Sequence, residues 1–375
     1  MNSSTVAQPE IHTSGDSARE WLEARLNQPM TPGAVVVAAP STAFQAPGGG
    51  EVQLVQTSKH LEEIGWSIRP FVPWIDSLRQ AKLLHIYGMS AEGLGLARCA
   101  RTLGIPVILS PICWFEPGAL ARLADHPWHS MKALAAWSAR SACPRLPGWR
   151  RSLLHACDVV LPNSEAEAHQ LVRLFGLNRT KIRVVPNGVK PRSTPTNTIE
   201  PRLLETDFVL YAGRIEPRKN VLGLVQATQM AGLPLAVIGD PVPGHEGYAK
   251  ACRETAGNNA TWFPRMAHND PRLSAAFAQA RVFALPSWFE TPGLAALEAG
   301  LAGTPLVITP LGCTREYFSD LVEYAHPARP RQIAASLQKA WEQGRQPDLA
   351  RWIGSRYLWA QVARKTAEVY HELEH

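Results

Sequence analysis

The chain alternates short continuous apolar runs with longer stretches in which apolar positions recur every three or four residues. Gly33-Ala34-Val35-Val36-Val37-Ala38-Ala39 is one such run and stops at Pro40, the pattern of a strand buried on both faces. A polar leader precedes it, with a short helix predicted over Ser17–Leu26. A glycine-rich turn follows at Gly48-Gly49-Gly50, after which Val52, Val55, Leu61 and Ile64 fall close to helical spacing. Further strand-like runs come at Ile68–Val72, Leu83–Tyr87, Val107–Leu109, Val159–Leu161 and Ile182–Val185, separated by helical stretches. Strands alternating with helices imply right-handed crossovers and a parallel sheet covered on both sides.

Between Lys190 and Arg202 the residues are rich in Pro and Thr and poor in large apolar groups, which is linker chemistry. Beyond it the alternation restarts, with strands expected at Phe208–Ala212, Leu235–Ile238, Thr261–Phe263, Val282–Leu285 and Leu306–Ile308. The expected fold class is α/β, with two doubly wound, Rossmann-like parallel-sheet domains facing across a cleft. The expected division is a polar leader and short helix over residues 1–32, an N-terminal domain over 33–192, a linker over 193–202, a C-terminal domain over 203–352 and a final segment over 353–375. Ligands of such sheets sit at the carboxyl ends of the strands, so two facing domains place a site between them.

Composition narrows the function classes without naming one. An apolar fraction of 45%, a charged fraction of 19% and 12 Trp exclude a disordered chain. The 6 Cys show no Cys-x-x-Cys spacing, so neither a zinc site nor a disulfide framework is signalled, and a reducing cytosol is the simplest home. The first residues lack the apolar core of an export signal, and no apolar run approaches the ~18 residues that cross a bilayer. A net charge of +6 suits an anionic substrate or surface but is far from a nucleic-acid arm, and no nucleic-acid partner is expected.

Two segments carry candidate chemistry. The strand Phe208–Ala212 runs into Gly213-Arg214-Ile215-Glu216-Pro217-Arg218-Lys219-Asn220, which puts cations at a strand's carboxyl end beside a helix that Asn220 is placed to cap. Backbone N–H groups and the helix dipole favour an anion there, and Arg214 and Lys219 would add a forked donor and a point charge for a diphosphate. The alternative is that they are solvated loop cations. The second segment, Pro286-Ser287-Trp288-Phe289-Glu290-Thr291-Pro292-Gly293-Leu294, follows the strand Val282–Leu285. With Thr291 as N-cap and Pro292 as first helical residue, Glu290 lies in the loop and Glu298 two turns into the helix, on one stripe with Leu294, Leu297 and Leu301. A carboxylate on that stripe needs a partner, either a core cation or ligand hydroxyls. Gly293 has no side chain to keep a phosphate from the N–H groups of Gly293 and Leu294.

Taken together and in order, these residues resemble the family 4 retaining glycosyltransferases of the GT-B fold. The resemblance rests on Gly213-Arg214 with Lys219, then Pro286-Ser287 about seventy residues on, with Glu290 and Glu298 separated by seven residues. It is supported by Gly48-Gly49-Gly50-Glu51, His85-Ile86-Tyr87-Gly88, Ser164-Glu165, Val185-Pro186-Asn187-Gly188-Val189 and Gly239-Asp240. It implies that Arg214 and Lys219 neutralise a donor diphosphate, that Glu290 contacts donor-sugar hydroxyls and that Glu298 binds the ribose. It also implies donor binding by Gly49, Gly50, Gly213, Gly293 and Leu294, and a final segment that crosses back onto the N-terminal domain. The expected activity is transfer of a sugar from a nucleotide-diphosphate donor to a glycan, lipid-linked or small-molecule acceptor with retention of configuration. No Asp-x-Asp occurs, so no metal and no cofactor beyond the nucleotide sugar is expected. The sequence departs from the family at Ser110–Trp114, where a His is usual, at Tyr87, the second position of a usual His-x-His, and at Arg265, where Gly is usual.

Rival readings are a nucleotide-sugar epimerase or hydrolase of the same fold and a non-catalytic binding module. The stretch Trp137–Leu153 mixes cations with two Trp and is open to two readings, peripheral contact with an anionic bilayer at the cytoplasmic face or a loop with its Trp packed inward. Pro144 and Pro147 prevent one helix from running through it.

Overall fold

The computed structural model describes residues 17–45, 48–123, 126–190, 203–267 and 270–374. Residues 1–16 of the expected leader and all of the expected linker over 193–202 lie outside the described residues.

The apolar runs become the buried centres of two sheets. The first comprises β1 (Ala34–Ala38), β2 (Ile68–Pro70), β3 (Ala81–Tyr87), β4 (Val107–Ser110) and β5 (Val159–Val160), all parallel, in the order β2-β1-β3-β4-β5. Val36 pairs with Leu84 at its centre, and both are wholly shielded, as a sheet with two covered faces requires. The covering helices are α1 (Ser17–Leu26), α2 (Gly49–Glu63), α3 (Ala91–Thr102), α4 (Pro117–Arg122), α5 (Pro127–Ala142), α6 (Trp149–Ala156) and α7 (Glu165–Phe175).

The second sheet comprises β6 (Val209–Ala212), β7 (Leu235–Ile238), β8 (Ala260–Phe263), β9 (Val282–Leu285), β10 (Leu306–Ile308) and β11 (Glu323–Tyr324), in the order β11-β10-β9-β6-β7-β8. Its helices are α8 (Val221–Ala231), α9 (Glu246–Ala256), α10 (Pro271–Gln279), α11 (Leu294–Leu301), α12 (Thr314–Phe318), α13 (Pro330–Gln343) and α14 (Pro347–Arg356). From β6 the chain builds outward to β7 and β8, then returns to the other side of β6 for β9. The strand order therefore reverses between β6 and β9, and the crevice at the carboxyl ends of such a pair is where doubly wound sheets bind ligands.

Two expectations are corrected. Ile182–Val185 forms no strand: Ile182 makes one bridge to Val160, and Val185 donates to the Pro162 carbonyl. The reason is that β5 ends after two residues, and Pro162 has no N–H with which to extend its ladder. Conversely, β11 went unforeseen, because two half-exposed edge residues leave no apolar run to read. The stretch Trp137–Leu153 is the end of α5, a turn and the start of α6. Trp137 and Trp149 pack against the apolar cluster of Leu153, Leu171 and Phe175, while Arg140 donates to the Leu146 and Pro147 carbonyls.

The chain ends on the first domain. Val189 donates to the Tyr357 carbonyl at 2.7 Å and accepts from Trp359 at 3.2 Å, and α15 (Trp359–Glu372) then lies on α2. Trp359, Val362, Ala363 and Tyr370 join one buried cluster with Val35, Leu54, Leu61 and Leu83. Trp359→Ala should thus cost about 3–5 kcal/mol of stability by leaving a cavity between the domains' connecting strands of chain. Trp74→Ala, at an exposed tip, should stay within about 0.5 kcal/mol of the parent. Denaturant midpoints of the two variants check this, and equal midpoints would separate α15 from the core.

Candidate active site

Both loops that leave the strand-order reversal carry the residues singled out in the sequence. After β6 the chain turns at Gly213, whose N–H donates to the Ile238 carbonyl, and the Tyr211 hydroxyl donates to the Arg214 carbonyl at 2.6 Å. This fixes the backbone of Arg214 while its side chain stays 43% exposed, with Glu216 at 3.4 Å. Lys219, five residues on, points the other way. Its ammonium donates to Glu290 Oε1 at 2.6 Å, and the two side chains are only 13% and 5% exposed. A further set of bonds sews the same loops together. Trp288 N–H donates to the Arg218 carbonyl, Arg218 donates to the Phe289 carbonyl and stacks on its ring, and the Asn220 amide donates to the carbonyls of Pro286 and Pro327.

The backbone of Glu290 is itself clamped. Its N–H donates to the Leu311 carbonyl and its carbonyl accepts from Cys313. Gly312 passes so close that a Cβ there would stand 2.0 Å from the Glu290 carbonyl oxygen, at a φ of +96°, so only glycine fits. Burial pushes the Glu290 carboxyl up, but the Lys219 and Arg218 cations and the Lys219 hydrogen bond outweigh it and hold the group below the usual carboxylate range. Burial pulls the Lys219 ammonium down, against the opposing pull of Glu290.

The start of α11 differs from expectation. Gly293, with φ of +92°, takes the N-cap position and the helix begins at Leu294, not at Pro292; Thr291 does not cap it, and its carbonyl instead accepts from the Asn187 amide. Glu298 accordingly lies one turn into the helix rather than two, and it is buried, as are its neighbours Leu297 and Ala299, whereas Leu294 and Leu301 are half-buried. Asn220 stands at the N-cap of α8 in the left-handed region, φ +55°, and makes no side-chain cap bond; its amide nitrogen donates to the two proline carbonyls. The first N–H groups of a helix have no partner within it, so the Gly293 end of α11 presents donors and a positive dipole end toward the loop that holds Glu290.

The first domain supplies the opposite wall. Gly48 is the N-cap of α2 and its N–H is taken by Glu51 at 2.7 Å; Gly49 and Gly50 are the first helical residues. A methyl group on Gly48 would stand 3.6 Å from Arg214 Nη1, one on Gly49 3.7 Å from Leu294 Cδ1, and one on Gly50 3.4 Å from Ile112 Cδ1. The structure thus brings Arg214, Gly49, Gly50 and Leu294 to one place, with the Lys219–Glu290 pair and Gly293 behind them. Two ties hold the domains in this register. Glu316 accepts from the Glu165 and Ala166 N–H groups at the start of α7, and the Tyr317 hydroxyl joins the Asn163 carbonyl to the Asn187 N–H.

His85 is a satisfied buried histidine. Its Nδ1 meets the Tyr370 hydroxyl at 2.7 Å and its Nε2 the Ser110 hydroxyl at 2.9 Å, the ring stacks on Tyr87, and burial lowers its pKa to about 3. Arg265 is exposed, its N–H donating to Asp240. Sequence reasoning placed Ser287, Asn187, Ile112 and Arg218 inside motifs or loops without giving them a role, and missed Gly312, which left no local signal.

Comparison with known proteins gives the family and the fold. A family model described as Glycosyltransferase Family 4 matches residues 33–193, and one described as Glycosyl transferases group 1 matches residues 197–356. The chain belongs to the family 4 glycosyltransferases. Among relatives, a D-inositol 3-phosphate glycosyltransferase of Kribbella flavida is 26% identical over 71% of this chain and 75% of its own. One from a Nocardioides species is 26% identical over 86% of this chain and 85% of its own. Sucrose-phosphate synthase from Thermosynechococcus elongatus shares the fold, with a TM-score of 0.71 at 17% identity over 91% of this chain and 99% of its own. So does Anabaena HepE in complex with UDP, with a TM-score of 0.67 at 15% identity over 90% of this chain and 100% of its own. This family 4 glycosyltransferase therefore has the GT-B architecture, and among the described residues no helix is long and apolar enough to cross a membrane.

The geometry separates two cations that look alike in sequence. Both lie on one polar loop, which suggests that either could be removed without harm to folding. Lys219 is in fact the partner of a buried carboxylate, so Lys219→Ala should cost about 3–5 kcal/mol by leaving Glu290 uncompensated. Arg214→Ala should leave the melting temperature near the parent value and lower transfer turnover by about 10²-fold. Thermal melts and turnover on the two variants check this; equal losses of stability would refute the distinction.

Proposed function

We propose that this glycosyltransferase moves a sugar from a nucleoside-diphosphate donor to a hydroxyl of a glycan, lipid-linked or small-molecule acceptor, with retention and without a metal ion. The observation that carries the reading is the position of Arg214, a half-exposed guanidinium set against Gly48 and close to the α11 N-terminus at the strand-order reversal. A diphosphate placed there meets a forked cation and helix N–H donors, and the acidic side chains nearby are committed: Glu290 and Glu216 to cations and Glu51 to the Gly48 N–H. HepE has been solved with UDP and with UDP-glucose, which supports a nucleotide-sugar donor.

In this reading Arg214, Lys219 and the N–H groups at Gly293 and Leu294 stabilise charge that grows on the departing diphosphate, so they act more strongly on the transition state than on the bound donor. Lys219 holds Glu290 Oε1, which leaves Oε2, on the Gly293 side, to accept from donor-sugar hydroxyls. Glu298, one turn into α11, accepts from the ribose hydroxyls. The proton of the acceptor hydroxyl goes to a departing phosphate oxygen, and no protein base is assigned. Gly49, Gly50 and Gly213 give the donor backbone to lie against. An epimerase or hydrolase would consume donor without acceptor, and a binding module would consume none.

The ribose role is tested on one variant. Glu298→Gln should keep the melting temperature while weakening binding of the cognate nucleoside diphosphate about ten- to a hundredfold, the loss expected for hydrogen bonds to a charged group. Thermal shifts across UDP, GDP, ADP and TDP identify the cognate base, since a bound ligand stabilises by RT ln(1 + [L]/Kd). Transfer assayed with chelator should remain intact. No shift with any nucleotide, or a large loss of stability at unchanged affinity, would remove Glu298 from the site.

A further inference from the structure

Helix α5 leaves an apolar stripe on its solvent side. Trp128, Met131, Ala135, Ala139 and Ala142 recur at intervals of three and four residues and all face solvent, with Trp128 59% and Met131 60% exposed. Trp137 packs inward with Ser130 and Arg140, while His129, Lys132 and Ser138 are exposed beside the stripe. Ser130 donates to the Ala121 carbonyl, and Arg140 donates to the Leu146 and Pro147 carbonyls while stacking on Phe175. A surface helix normally turns its polar face outward, so an apolar stripe about 21 Å long on the outer side is a surface with a missing partner.

The charge around the stripe says what that partner is. Residues 117–156 contain six cations, Arg122, Lys132, Arg140, Arg145, Arg150 and Arg151, against one acid, Asp125, a net +5 within a chain whose total is +6. Lys132 stands on the stripe's edge, and Arg145 and Arg150 are exposed beyond its end. Trp flanked by cations on an apolar helix face is what an anionic lipid surface takes up: the ring sits at headgroup depth, the methionine enters the acyl boundary and the long cations reach back to phosphates. The other exposed apolar pair, Trp74 and Ile75, follows β2 near the internally neutralised Arg69–Asp76 pair and lacks this charge. Neither Trp137 nor Trp149, the aromatics that stand out in the sequence of this region, faces outward; both are half-buried in the core cluster.

We infer that the outer face of α5, led by Trp128 and Met131 and rimmed by Lys132, Arg145 and Arg150, is a docking surface for an anionic phospholipid bilayer. Arg122, at the end of α4, stacks on Trp288 of the Glu290 loop at 5.1 Å, so the α4–α5 hairpin adjoins the candidate active site, and docking brings that site to the lipid surface. The inference stands apart from the donor assignment, because vesicle binding requires no nucleotide.

The experiment is co-sedimentation of the full chain with phosphatidylcholine vesicles with and without phosphatidylglycerol, at low and high salt, alongside sedimentation velocity of the protein alone. The parent should bind the anionic vesicles, lose binding as salt rises and bind pure phosphatidylcholine at least about tenfold more weakly, since each cation at an anionic surface contributes about 1 kcal/mol. Trp128→Ser/Met131→Ser should lower binding at least about tenfold, and Lys132→Glu/Arg145→Glu should remove the preference for anionic lipid. Both variants alter exposed residues and should keep the parent's melting temperature and its nucleotide-induced thermal shift. Absence of vesicle binding by the parent, or binding that neither variant changes, would overturn the inference. So would a dimer of the parent that Trp128→Ser/Met131→Ser dissociates, since a second copy would then cover the stripe.

Discussion

The buried contact between the Lys219 ammonium and Glu290 Oε1 is the joint on which the site depends. The two residues lie on loops that leave adjacent strands, β6 and β9, at the point where the strand order reverses. A carboxylate so deeply shielded would not stay charged alone, and a lysine there would lose its proton. Each keeps the other ionised, and the close pass of Gly312 with the Leu311 and Cys313 hydrogen bonds fixes the Glu290 backbone from which the carboxylate projects. Such a pair adds little net stability over an apolar one, because desolvation offsets its attraction. What it supplies is position: it holds Glu290 Oε2 beside the Gly293 end of α11, where the proposed donor would meet them, and leaves Arg214 as the half-exposed cation.

The same division of labour runs through the two domains. The C-terminal sheet carries the charged groups, while the first domain contributes a wall of backbone and apolar contact at Gly49, Gly50 and Ile112. Glu316 on the α7 N-terminus and Tyr317 between Asn163 and Asn187 hold that wall in register. The return of α15 onto α2 adds a second anchor far from the site. In the proposed reading, the face of α5 suited to lipid lies on the first domain and the charged groups of the donor site on the second.

The fold was legible where burial on both sides of a sheet leaves an unbroken run, as at Val35–Val37 and Val209–Ala212. It was illegible where pairing depended on a neighbour's length, as at Ile182–Val185 beside the two-residue β5. Arg214, Lys219, Glu290 and Gly293 could be read as loop residues at strand ends because each follows directly on an apolar run. The pairing of Lys219 with Glu290, 71 residues apart, could not be read, since local spacing carries no information about which of three cations meets which carboxylate. The start of α11 was misjudged for a related reason: Thr291 and Pro292 favour a helix start, but with Glu290 clamped by Gly312 the chain bends through Thr291 and Pro292 and becomes helical only after Gly293. The outward stripe of α5 was hidden because periodicity alone gives a face and not the side on which the core lies.

A double-mutant cycle on the central pair tests the account most directly. Lys219→Met, Glu290→Gln and the combined variant are compared for stability and for transfer turnover. If the pair exists to position the site, the combined variant should recover at least about 1.5 kcal/mol of what the single changes lose, because no uncompensated charge remains buried. Its turnover should stay as low as that of the worse single variant. Additive losses of stability, or turnover restored along with stability, would contradict the claim that this contact holds the chemistry in place.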